Sequence, residues 1–269
     1  MANSFSDGMI DFVWACWGVV GVPAPVRRPI ATAVDLEPLI HITNEIGSRD
    51  RRLAAHAQAW QQSFPELVSR TRLKRLGGSP DVAPVLPDRS ERMAGPVHLD
   101  VLAAAAVQLR VRSALGVSAR AEIIRQLGLD PAGTMRSASD LAQLCGYSKR
   151  NVEKSLAGLE RAAWVVRMRG GASLRWSLAN HAVITDLFSP MPENNLSFLA
   201  LCRILEALLP LDRYRSEAQH VRSAAARRVL EEQGPAAEWG SVRLPAPSPG
   251  VDAWEEALAW VDGLVESAL

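Results

Sequence analysis

The chain has 269 residues, 48% of them hydrophobic and 22% charged, with a formal net charge of +1. This composition excludes a disordered or low-complexity chain and supplies enough apolar material for sizeable cores. The charge is informative only when divided along the chain: residues 1–107 are neutral, residues 108–178 hold 12 basic against 5 acidic side chains, and residues 179–269 hold 7 against 13. A basic centre beside an acidic end is the asymmetry expected when one segment meets phosphate and another must not.

The three cysteines, Cys16, Cys145 and Cys202, are odd in number and far apart. They allow no disulfide framework or zinc spacing, and predict a reducing, cytoplasmic setting with each thiol buried as a small apolar group. The apolar run at 12–22 lacks a preceding basic region and is well short of the roughly 20 residues a membrane span needs. Neither a signal peptide nor membrane insertion is expected.

In chain order, residues 9–22 are apolar nearly all round and predict a buried helix ending near Trp17 to Val20, with Trp14 and Trp17 in the core. Asp35 is placed to cap a second helix that stops at Gly47, and Asp50 or Ser48 a third whose face carries Leu53, Trp60 and His56 or Ala57. Pro65 opens a fourth helix to Gly77-Gly78 carrying Arg70, Arg72, Lys74 and Arg75, read as a solvated basic face or a second DNA-contacting unit. The proline-rich stretch at 77–97 marks the clearest domain boundary. Asp100 is placed to cap a helix running to about Gly116. Beyond residue 178, helices are expected at 195–211 and 216–234, then a loop to Gly250, then a closing helix with the stripe Trp254, Leu258, Val261 and Val265.

The centre carries the chemistry. Ser118 is placed to cap a helix with Ile123, Ile124 and Leu127 inward. Ser137 and Asp140 form a capping box with Leu141, Ala142 and Leu144 inward, and Gly146 supplies the positive φ of a tight turn. Tyr147 and Val152 flank Ser148 as a hydrophobic staple around the cap of the next helix. There Val152, Leu156 and Leu159 take core positions, which leaves Lys149, Arg150, Asn151 and Lys154 outward near the N-terminal end. Arg can pair with guanine and Asn with adenine in a major groove, while the lysines suit the backbone. Glu153 is assigned to Arg150 or Arg161. In the hairpin that follows, alternation predicts Trp164, Val166 and Met168 on one face with Leu174, Trp176 and Leu178. That would gather Arg167, Arg169 and Arg175 on the other, beside the Gly170-Gly171 turn.

Residues 118–178 resemble the winged-helix domains of bacterial transcription regulators. The pattern is carried by Ala142, Gly146, Tyr147, Ser148, Val152, Leu156, Leu159 and Glu160, followed by a strand. Ala163 stands where that family usually has glycine. The resemblance implies a winged helix-turn-helix module on double-stranded DNA, with Tyr147, Ser148, Lys149, Arg150, Asn151, Lys154, Arg167, Arg169 and Arg175 as the contact set.

The expected fold is mainly α: a helical N-terminal domain at 1–78, a linker at 79–98, a central winged helix with a small β-hairpin wing at 99–180, and a helical C-terminal region at 181–269. The expected function is a sequence-specific, homodimeric transcriptional regulator that binds double-stranded DNA, without cofactor or metal.

 The alternative is an adaptor subunit of a bacterial defence or toxin–antitoxin assembly, using the winged helix for docking and the acidic C-terminal region for a protein partner, with Trp239, Trp254 and Trp260 as candidate anchors. An enzyme is not expected: the chain has no P-loop, no G-x-S-x-G, no H-E-x-x-H and no close Cys/His pair.

Overall fold

The computed structural model describes residues 4–25, 30–77, 99–170, 173–246 and 250–266. The linker expected at 79–98, the hairpin position Gly171 and the Val265 side chain lie outside the described residues. Among the described residues the chain is mainly helical, with twelve α-helices and one small antiparallel sheet.

Four helices open the chain: α1 (Phe5–Val19), α2 (Leu36–Ile46), α3 (Arg51–Ser63) and α4 (Arg70–Arg75). The middle runs α5 (Val107–Leu115), α6 (Ala119–Leu129), β1 (Arg136–Ser137), α7 (Ala138–Cys145), α8 (Lys149–Arg161), β2 (Val165–Gly170), β3 (Ser173–Leu178) and α9 (His181–Leu187). The chain closes with α10 (Phe198–Leu208), α11 (Gln219–Gly240) and α12 (Ala253–Glu266). In the sheet β3 lies between β1 and β2.

Two hydrophobic cores organise these elements. The first joins α1 to α4 with α10, α11 and α12, so the two ends of the chain share one interior. Phe5 meets Trp254 edge-on at 4.8 Å between ring centroids, and Trp17 meets Trp60 at 5.7 Å. The indole N–H of Trp17 donates to Thr43 Oγ1 and that of Trp60 to the Val20 carbonyl, so these large rings are buried with their polar edges satisfied. Trp254 is therefore a core residue, as its place in the apolar stripe implied. The second core is built from α5 to α9 and the sheet. All three cysteines are buried thiols, and burial pushes Cys145 up to about 12.

Local signals set most helix ends. Ser4, Asp50, Ser118, Ser137, Ser148 and Ser197 each accept a backbone N–H from the first turn of the helix they precede. Asp35 occupies the expected N-cap position of α2, but its side chain caps nothing. The Leu36 amide donates instead to Gln108 Oε1 at 2.8 Å, because the Asp35 carboxylate is held by arginines.

Four elements differ from the sequence expectation. The helix expected from an Asp100 cap starts later, with a 3-10 turn at Ala104–Ala106 leading into α5 and no side-chain cap. The basic fourth helix is split: a 3-10 turn at Pro65–Leu67 ends in extended Val68, and Ser69 caps α4. Helix α11 passes Gly234 and Pro235 and ends at Gly240, where a loop was expected. Proline removes one amide donor there, but the last turn is held by α10, with the Ser197 amide donating to the Gly240 carbonyl at 2.7 Å. A Cβ on Gly240 would fall 2.2 Å from that of Ala200, so the approach requires glycine. Finally, α9 was not expected; Asn180 caps it and Ile184 anchors it in the second core.

Candidate nucleic-acid interface

The candidate interface is assembled by the turn between α7 and α8. Ser137 and Asp140 exchange the two hydrogen bonds of a capping box at the start of α7. Gly146 ends α7 with φ 69°, the left-handed conformation that a residue with a side chain adopts only at a cost. Ser148 then caps α8 by accepting from the Asn151 amide.

Helix α8 buries Val152, Ser155, Leu156 and Leu159. The opposite consequence follows from the 3.6-residue period: Ser148, Lys149, Arg150, Asn151 and Lys154 are all exposed. Glu153 lies 4.0 Å from Lys149 rather than against Arg150 or Arg161. Tyr147 stands apart from the expected contact set. It is 8% exposed and packs in the second core, and its hydroxyl is hydrogen-bonded to that of Ser69 at 3.1 Å. As the hydrophobic half of a staple it faces inward, so it anchors α8 and leaves little of its side chain at the surface.

The wing corrects the expected grouping of arginines. Its register pairs Val165 with Leu178, Arg167 with Trp176, Met168 with Arg175, and Arg169 with Leu174. Cross-strand partners share a face. One face therefore holds Val165, Trp176 and Leu178 in the core, with Arg167, Arg169 and Leu174 toward the tip. The other holds Val166, Met168 and Arg175. Arg175 is thus separated from Arg167 and Arg169, not grouped with them. Gly170 pairs with Ser173, so exactly paired positions join an even number to an odd one, and the expected inward set of even numbers on both strands is excluded. A slip of one residue exchanges the faces of a strand. Val166 and Met168, expected inward, are 42% and 58% exposed. Arg167 Nε lies 3.1 Å from Glu160 Oε1, while Arg169 and Arg175 are exposed.

What braces the turn was missed in the sequence. Asp35, Glu37, Arg72, Gln108, Arg112, Glu122 and Arg125 form a buried polar cluster spanning α2, α4, α5 and α6. Three carboxylates face three guanidiniums. Arg72 engages Asp35 through Nη1 at 2.8 Å and Nη2 at 2.5 Å, and also bonds Glu37. Arg125 donates from Nε to Glu122 at 2.9 Å and lies 3.3 Å from Asp35. Glu37 accepts from the Ser69 amide as well, at 2.6 Å. Burial alone would raise the Asp35 carboxyl, but Arg72 and Arg125 outweigh it and hold it well below the usual carboxylate range. The same balance, with Arg112 as the strongest partner, brings Glu122 down to about 2. Helix α4 is consequently not a uniformly solvated basic face: Arg70, Lys74 and Arg75 are exposed, but Arg72 is buried beneath the turn. The sequence reading made Asp35 a cap and put Arg72 on a basic outer face, so nothing in it brought these charges together.

Comparison with protein-family models, with curated proteins and with solved structures finds no match.

Among the described residues, no group of three or more His, Cys, Asp or Glu side chains is placed to hold a metal ion. No helix among them is long and apolar enough to cross a membrane. The surface of α8 offers cationic and amide donors on a helix whose other face is locked in a core.

Proposed function

We propose that the chain is a sequence-specific double-stranded DNA-binding regulator of winged-helix type, with α8 in the major groove. The observation that carries this reading is the outward row Lys149, Arg150, Asn151 and Lys154 on the first turns of α8. Arg150 can donate twice to a guanine edge, Asn151 can donate to N7 of adenine and accept from its N6, and the lysines supply point charges for phosphate. The order α6, β1, α7, α8, β2, β3 supports it, as do Arg167 and Arg169 toward the wing tip. Ser148 caps α8 and contributes its position at the helix start, not a charge.

The test is duplex affinity measured across salt concentration on fragments selected by the protein, with its mass in solution measured alongside to test the expected homodimer. Affinity should fall steeply with salt, since each neutralised phosphate releases counterion. Absent or salt-independent duplex binding would overturn the proposal.

A second reading is supported by the other side of the wing. Exposed Val166 and Met168 form an apolar strip beside Arg175, a surface suited to protein contact. On that reading the module is an adaptor of a larger bacterial assembly, and substitution of these two residues would release the partner without altering duplex affinity.

A further inference from the structure

We propose that the free edge of β2 is the docking site for an extended acidic segment of a partner protein, which joins the wing as a further strand. Docking there rests on the adaptor reading and gives that partner its chemistry.

Strand order makes β2 an edge: β3 lies on one side of it, and among the described residues no strand lies on the other. In an antiparallel pair, opposed residues alternate between those that exchange both backbone hydrogen bonds and those that exchange neither. The Ala179 amide donates to the Trp164 carbonyl at 3.0 Å, which sets the phase at the base of the wing. Two residues along each strand, Val166 and Ser177 are again a bonded pair, followed by Met168 and Arg175. Arg167 and Arg169 belong to the alternate set, so their N–H and C=O groups point away from β3 into the open edge. Residues 166–169 are all exposed.

An open edge is a template for strand addition unless something blunts it. The register of β2 on β3 runs one-to-one from Val165 to Gly170, so no bulge bends the strand away, and it contains no proline. Charge then decides which strand fits. Cross-strand partners share a face. For an antiparallel β2 of a second copy, the registers of longest overlap centre on Arg167 or Met168, and each sets arginine directly opposite arginine. Like charges so placed are destabilising, which disfavours a second copy. An acidic strand has the opposite effect. Its alternate carboxylates lie on the face of Arg167 and Arg169, and the apolar side chains between them on that of Val166 and Met168. Arg167 already holds one carboxylate on this face, Glu160 at 3.1 Å, while Arg169 stands exposed nearer the tip. Main-chain bonds supply affinity and the alternation supplies specificity. Such a strand and a duplex would compete for the same two arginines, so the partner would act against DNA binding.

The probe is a capped synthetic peptide of alternating valine and glutamate, matched in length to β2, with lysine in place of glutamate as the control. Titrated into the full chain and followed by calorimetry and amide NMR, the acidic peptide should bind saturably and the basic one should not. At about ten times its dissociation constant, it should slow hydrogen exchange of the Arg167 and Arg169 amides roughly ten-fold. The Val166 and Met168 amides, already bonded to β3, should change little. Arg169→Ala should weaken binding roughly two- to five-fold through lost charge. Arg169→Pro also removes an outward N–H without breaking a bond to β3, and should weaken it by roughly five-fold more. Equal binding of the basic peptide overturns the proposal, as does binding without protection of the two amides, or no saturable binding of either peptide. Protection of those amides by duplex DNA alone would assign the edge to nucleic acid and sink it equally. If the acidic peptide fails while Val166→Ser, Met168→Ser still releases a native partner, the adaptor reading stands and the edge assignment alone falls.

Discussion

Arg112 grips Glu37 through two parallel hydrogen bonds, Nη1 to Oε1 at 2.7 Å and Nη2 to Oε2 at 2.8 Å, with both side chains fully buried. Its remaining donors reach Glu122 Oε1 from Nε at 2.8 Å and the Leu67 carbonyl at 2.6 Å. Arg112 therefore joins α5 to α2, to α6 and to the turn before α4. Removing one member of such a cluster leaves buried charge uncompensated. Arg112→Met should cost about 3–5 kcal/mol in denaturant unfolding. A loss below about 1 kcal/mol would mean that the cluster contributes little net stability.

The same cluster gives a pH dependence of definite sign. Asp35 and Glu122 have folded-state pKa values below their ordinary ones, Glu122 falling from 4.5 to about 2. Their contribution is complete above the ordinary value and is lost as pH falls through the folded one. Unfolding free energy should therefore decline between pH 4.5 and about 2, and Glu122→Gln should make that decline shallower. A flat profile in the wild-type chain over this window would contradict the buried pairing.

Ala163 has φ 57° and is exposed, at the exit of α8. The left-handed conformation strains any residue with a Cβ, while glycine adopts it freely at some entropic cost in the unfolded chain. Ala163→Gly should raise stability by about 0.5–1 kcal/mol. Destabilisation by this change would show that the strain is not present in solution.

Asp212 caps α1 from the far end of the sequence. Its carboxylate accepts from the Phe5 amide at 2.9 Å and the Ser6 amide at 3.2 Å, and Arg49 approaches it at 2.6 Å. Asp212→Ala should cost about 1–2 kcal/mol through loss of this N-terminal anchoring. Increased amide exchange should appear first at the start of α1; an unchanged exchange pattern there would argue against the contact.

The separation of the wing arginines makes the DNA reading sharper. Replacing Arg167 and Arg169 together by alanine should flatten the salt dependence of duplex affinity more than replacing Arg175. Arg150→Ala or Asn151→Ala should relax preference at one base pair by about 1–3 kcal/mol. Uniform weakening across all sequences would reassign those two residues to phosphate.

The sequence by itself determined what depends on near neighbours. The caps at Ser118, Ser137 and Ser148, the positive φ at Gly146 and the outward row on α8 all follow from spacing within a few residues, because hydrogen bonds of the first turn and the 3.6-residue period are local. Tertiary structure decided the rest. Strand alternation in the wing was legible, but its face was set by the pairing of Gly170 with Ser173, a cross-strand relation. Asp35 read as a cap, yet its carboxylate went to Arg72, 37 positions away. The brace beneath the turn draws Glu37, Arg72, Arg112 and Glu122 from four helices, and only a shared interior shows that these buried charges meet. Spacing along the chain shows none of these pairings; the partners are visible only once the helices have packed.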